Sequence, residues 1–107
     1  MDDGNPFAGE VALTFDGRRH RLKLTLGALA ELEAGMGEDT LVALVDRFET
    51  GRFSTRDVAR LLLAGLRGAG WDGGAKTLLR ADIEGGPVEA TRVAALLLGR
   101  AFSLPAS

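Results

Sequence analysis

The chain has 107 residues, 46% of them hydrophobic and 26% charged, with a formal net charge of -2. That suffices for one small core, whose modest burial makes partners or homo-oligomerisation a natural supplement, and it supplies no basic field for nucleic acid. The absence of cysteine excludes disulfides, thiolate catalysis and cysteine-ligated zinc. No apolar run approaches the roughly 20 residues of a membrane span, and the start MDDGNPFAGE is acidic, unlike a signal peptide, so a cytoplasmic protein without membrane contact is expected.

Residues 1–8 show no periodicity and are expected to be a disordered lead-in to a single domain over 9–104. GEVALTFDGRRHRLKLT then predicts a hairpin over 9–25. Asp16-Gly17 suits a two-residue turn that needs positive φ at both central positions. That turn sets Phe15 opposite Arg18, Leu13 opposite His20 and Val11 opposite Leu22, one face apolar; the other face pairs Glu10 with Lys23 and carries Arg19 and Arg21. A lone hairpin is unstable, so it must lie on the helices or pair through an open edge.

Thr25 is placed to cap a helix over 26–36, ended by Gly35 or Gly37, with Leu26, Leu29, Ala30, Leu32 and Met36 as its apolar stripe. Leu41, Leu44, Val45 and Phe48 define a second helix, capped by Asp39 or Thr40 and stopped by Gly51. Ser54, with Asp57 three residues on, opens a third, whose inner stripe is Val58, Leu61, Leu62 and Leu66 and whose end is Gly68 or Gly70. A glycine-rich loop with Trp71 leads to a short helix over about 75–83. The last helix has Pro87 in its first turn, where a missing N–H costs nothing. The sum is an α+β, mainly α domain: a hairpin and about five helices.

Little here can carry catalysis. His20 is the only histidine and has neither a second histidine nor a cysteine to complete a metal site, so a partly buried ring bonded to a backbone carbonyl is expected. The glycines match neither a P-loop nor a dinucleotide fingerprint. Arg56, Arg60 and Arg67 line part of one helix, but Asp57 and the acidic balance dilute them as a DNA-binding face. No cofactor or metal is expected, nor any enzyme activity.

Four residues point instead to protein contact. Glu33 falls inside the predicted stripe of the first helix, where a carboxylate must be bridged by an arginine, capped by amides, or turned to a partner chain. Trp71 is either a lid on the core or an exposed anchor. Leu61-Leu62-Leu63 and Leu96-Leu97-Leu98 each sweep about 200° of a helix, twice what one buried face needs, so one leucine of each, Leu63 and Leu98, is a candidate for an interaction surface.

GEVALTFDGRRHRLKLTLGALAELEAGMG and FSTRDVARLLLAGLRGAG together resemble the small gene-transfer-agent and phage tail assembly chaperone family, some of whose members carry the name tail tube protein. The similarity covers most of residues 9–70, and in the last helix it extends only to its Ala/Leu-rich character. It implies a non-enzymatic chaperone that binds the tape-measure protein until tail-tube subunits polymerise around it. A structural tail-tube or adaptor subunit is the alternative within the family, and a generic helical interaction module the alternative outside it.

Overall fold

A computed structural model describes residues 9–102. The expected lead-in over 1–8 lies outside them, as do residues 103 and 104. A two-stranded antiparallel hairpin, β1 (Val11–Phe15) and β2 (Arg18–Leu22), is followed by α1 (Leu26–Ala34), α2 (Leu41–Thr50), α3 (Thr55–Gly68), α4 (Ala75–Leu79) and α5 (Gly86–Phe102). This is the mainly helical α+β architecture that the sequence predicts.

The hairpin turns at Asp16 and Gly17, with φ of 52° and 75°. Positive φ at both centres matches the right-handed twist of the strands and fixes the register as Val11–Leu22, Leu13–His20 and Phe15–Arg18. Val11, Leu13, Phe15 and Leu22 are thereby buried.

The expected pairing of Glu10 with Lys23 does not form. β2 ends at Leu22, the Lys23 N–H donates to the Gly65 carbonyl of α3 at 2.9 Å, and the Glu10 carboxylate lies 3.8 Å from Arg21. Glycine permits this close approach. A Cβ on Gly68 would stand 2.1 Å from the Lys23 carbonyl oxygen, and one on Gly65 would stand 2.8 Å from a Leu97 methyl.

The same approach sets the face of α1. Thr25 caps the helix, accepting from the Ala28 N–H at 3.0 Å, and Gly35 ends it. The buried positions are Leu24, Ala28, Leu32 and Met36, a ladder of four-residue steps, while Leu26 is 84% exposed. The expected stripe is therefore corrected by rotation. Ala28 faces α3, where its Cβ lies 3.1 Å from a Cβ placed on Gly68, so a small residue joins Leu32 and Met36 on the buried face while Leu26 and Ala30 turn outward. Glu33 turns outward with them and is exposed.

α3 is the central helix, packed against α1, α5, α4 and β2. Its first turn closes a capping box: Ser54 Oγ accepts from the Asp57 N–H, and Asp57 Oδ2 accepts from the Ser54 N–H. α2 is capped by Thr40 and stopped by Gly51 at φ 74°. The expected helix over 75–83 is cut to Ala75–Leu79, because the next residues serve the sheet edge instead. Ile83 bridges Phe15, the Glu84 N–H donates to the Thr14 carbonyl at 2.9 Å, and the Asp16 N–H donates to the Asp82 carbonyl at 3.0 Å. The Asp82 N–H in turn donates to Asp16 Oδ1 at 2.9 Å. Outward-pointing backbone groups of β1 are thus satisfied.

Candidate functional site

The leucine triplets locate the surface. Leu61 and Leu62 of α3 are 0% and 2% exposed, and Leu97 and Leu98 of α5 are 0% and 4% exposed. Leu63 and Leu96 are half-buried. Leu98 is therefore a core residue, and its assignment to an interaction surface is corrected. Neighbouring residues on a helix are 100° apart, and α5 presents the 97–98 side, not the 96–97 side, to α3 and β1.

Leu63 occupies a ridge between two grooves on the outer side of α3. One, of about 230 Å³, runs between α1 and α3 and is lined by Glu31, Leu32, Gly35, Arg60, Leu63, Ala64 and Arg67. The other, of about 350 Å³, runs between α3 and α4 and is lined by Thr55, Arg56, Ala59, Arg60, Leu63, Ala75, Leu78 and Leu79. A third and larger groove, of about 480 Å³, continues around Leu79 toward α5, with Phe53, Leu62, Ile83 and Ala90 in its wall. Leu79 itself is 67% exposed. The second and third together form an apolar trough around α4.

Trp71 packs against the core at the hairpin end and not in the trough. Its ring meets Phe15 edge-on at 5.8 Å and His20 edge-on at 6.3 Å, while Phe15 and His20 stack at 3.9 Å. His20 Nδ1 lies 3.0 Å from the Arg18 carbonyl oxygen, the expected backbone bond. Trp71 is thus the lid of the two alternatives. Of the four candidate residues only Leu63 lines a groove. Glu33 is on the outer face of α1, Trp71 is at the hairpin, and Leu98 is inside.

Arg47 is the centre of an ion cluster that the sequence does not single out. Its guanidinium forks onto Asp57 at 2.9 and 3.0 Å and onto Asp39 at 2.7 and 3.1 Å. Burial alone would raise the Asp57 pKa, but the Arg47 bonds and the Ser54 N–H outweigh it and hold the carboxyl below its ordinary value. Asp39 is held low by the Arg47 bonds first and the Thr40 N–H second. The Arg47 guanidinium is held more firmly protonated by both carboxylates. The only hint in sequence is the Ser54–Asp57 capping signature, since the four-way geometry depends on how α2 turns back onto α3. With the Phe48–Phe53 stack at 4.6 Å, the cluster fixes α2 beside the start of α3. Its role is structural: all acceptors are engaged by donors, and among the described residues no group of His, Asp or Glu could hold a metal ion.

The site therefore offers apolar grooves walled by helices, with arginines at the side and no assembled acid, base or nucleophile among the described residues. The family model described as phage tail tube protein, GTA-gp10, matches residues 8–104. The chain belongs to this phage tail protein family. Its match spans the hairpin and all five helices, so the trough around α4 is part of the family domain and not an appendage to it. No curated protein and no solved structure matches the chain. No helix among the described residues of this tail protein is long and apolar enough to cross a membrane.

Proposed function

We propose that the protein is a non-enzymatic assembly chaperone for the tail of a phage-like gene transfer agent. It binds the tape-measure protein in the bacterial cytoplasm until tail-tube subunits close around that protein. The observation that carries this reading, given the family, is the apolar trough around Leu63 and Leu79. A trough with helical walls suits a helical client, which lays its apolar face into the groove. Shallow, open grooves also favour weak contacts repeated along a long client, and such contacts release it as subunits polymerise.

The family's description favours a second reading, a structural tail-tube subunit. Against it, the sheet has two five-residue strands, and residues 82–84 already cover part of the outer edge of β1. A subunit that joins its neighbours through sheet edges needs more strand than this.

The test is co-expression of the tagged protein with the tape-measure protein, followed by affinity purification, with mass spectrometry of purified particles alongside. Co-purification and absence from particles is the expected result. Stoichiometric presence in mature particles refutes the chaperone role and favours the tube subunit.

A further inference from the structure

The groove between α3 and α4 is chemically one-sided. Its floor is Leu63, Leu78 and Ala59, its outer lip is Leu79, and its charged lining consists of Arg56 and Arg60 alone. No carboxylate lines it. The chain as a whole carries a net charge of -2, so this sign is local and opposes the overall balance.

Three other arginines are paired. Arg67 lies 3.6 Å from Glu31, Arg47 is held by Asp39 and Asp57, and Arg92 is held by Glu89. No ion pair within the described residues engages Arg56 or Arg60. The nearby carboxylates have closer partners or face another groove: Asp57 and Asp39 both bond Arg47, with Asp39 feeling the Arg60 charge only at longer range, and Asp82 lines the groove toward α5. Arg56 and Arg60 are one turn apart on α3, the spacing at which two side chains reach along the same side of a bound helix.

We propose that this groove takes an amphipathic helix of a partner protein that carries acidic residues beside its apolar stripe. The apolar face fills the space over Leu63 and Leu78, Leu79 folds over it, and the acidic flank meets Arg56 and Arg60. Nucleic acid is the weaker match to the same arginines, because the floor is aliphatic and no aromatic side chain lines the groove for base stacking. This assignment deepens the chaperone reading by naming the surface and the chemistry of the client segment.

Two synthetic helical peptides test it. Both carry leucine at i, i+3, i+4 and i+7; one has glutamates on the flanks and the other lysines. Binding to the intact protein is followed by fluorescence anisotropy. The glutamate peptide is expected to bind at least about tenfold more tightly than the lysine peptide. That preference is expected to shrink as salt rises from about 50 to about 500 mM. R56E/R60E is expected to reverse the preference. Leu79→Ser, at an exposed position, is expected to weaken both peptides while leaving the melting temperature unchanged, which separates lost docking from lost folding.

Equal binding of the two peptides, or binding by neither, overturns the proposal, as does a preference that survives R56E/R60E. Tighter binding of a DNA oligonucleotide than of the glutamate peptide, lost in R56E/R60E, overturns it in favour of nucleic acid. The chaperone reading stands or falls separately. If the tape-measure protein co-purifies equally well with wild type and R56E/R60E, the groove assignment fails and the chaperone survives. If the glutamate peptide binds but the tape-measure protein never co-purifies, the reverse holds.

Discussion

Replacing Gly68 with alanine probes the joint between the hairpin and the central helix. Taken alone, the change favours the helix by up to about 1 kcal/mol, and less at a helix end. The structure predicts the opposite sign. The new Cβ would stand 2.1 Å from the Lys23 carbonyl oxygen, against 3.4 Å or more for ordinary contact, and the obstacle is backbone. A flexible side chain could swing away, but Lys23 cannot, because its N–H is bonded to Gly65 one turn earlier in the same helix. The two segments must part by more than an ångström. Overpacking of this kind costs about 1–3 kcal/mol, and weakening the Lys23–Gly65 bond adds about 1 kcal/mol. Set against the propensity gain, the net loss is about 2 kcal/mol. For a domain of this size that lowers the melting temperature by about 10 °C. Thermal unfolding followed by circular dichroism, with urea titration in parallel, measures it. Gly99→Ala is the control: Gly99 is exposed on α5 with open space around its Cβ position, so the same substitution there should stabilise by about 0.5–1 kcal/mol. A Gly68→Ala protein as stable as wild type would refute the close-approach argument.

The Arg47 cluster predicts an acid limb. Asp39 and Asp57 have folded pKa values below their unfolded ones, so their contribution is fully present above the unfolded carboxylate pKa of about 4 and is lost as pH falls through the lower folded values. Melting temperatures from pH 7 to pH 2 should drop below about pH 4 in wild type and less steeply in Asp57→Asn, which should already cost about 1.5–3 kcal/mol at neutral pH; parallel curves would contradict this. Leu98→Ala should destabilise by about 2–5 kcal/mol, as expected for a residue 4% exposed, and a neutral result would return Leu98 to the surface. Trp71→Ala removes two edge-on ring contacts and should cost about 2 kcal/mol, with the Phe15–His20 stack left uncovered. Retained stability there would make Trp71 an anchor and not a lid.

The sequence carried the hairpin register from Val11–Leu22 to Phe15–Arg18, because a two-residue turn at Asp16-Gly17 leaves one alignment in which Val11, Leu13, Phe15 and Leu22 share a face. The caps at Thr25, Thr40 and Ser54 were equally legible, since each is a local bond between residues three apart. What failed was the face of α1. Counting leucines assumes that the largest apolar residue is the most buried, but where Gly68 admits a backbone contact the inner position belongs to Ala28. Leu98 failed for a related reason: a triplet shows that one leucine is surplus without showing which. Residues 80–83 were read as helix because the pull of this segment toward β1 comes from groups on Thr14 and Asp16, far away in sequence. Arg56 and Arg60 were visible as a pair on one helix, but the groove that gives them meaning exists only once α4 folds across from them.

The contact of residues 82–84 with β1 also bears on the order in which the chain can acquire its structure. The hairpin leaves the ribosome before the segment that completes its edge and the helix α5 that packs on β1. Local turns and caps can form within microseconds, but closing a loop of this span must wait for synthesis. Until then Val11, Leu13 and Phe15 lack the helix that packs on β1, and the outer edge of β1 stays open to other strands. The chain thus passes through a period of exposure of its own. That period ends only when α5 is released.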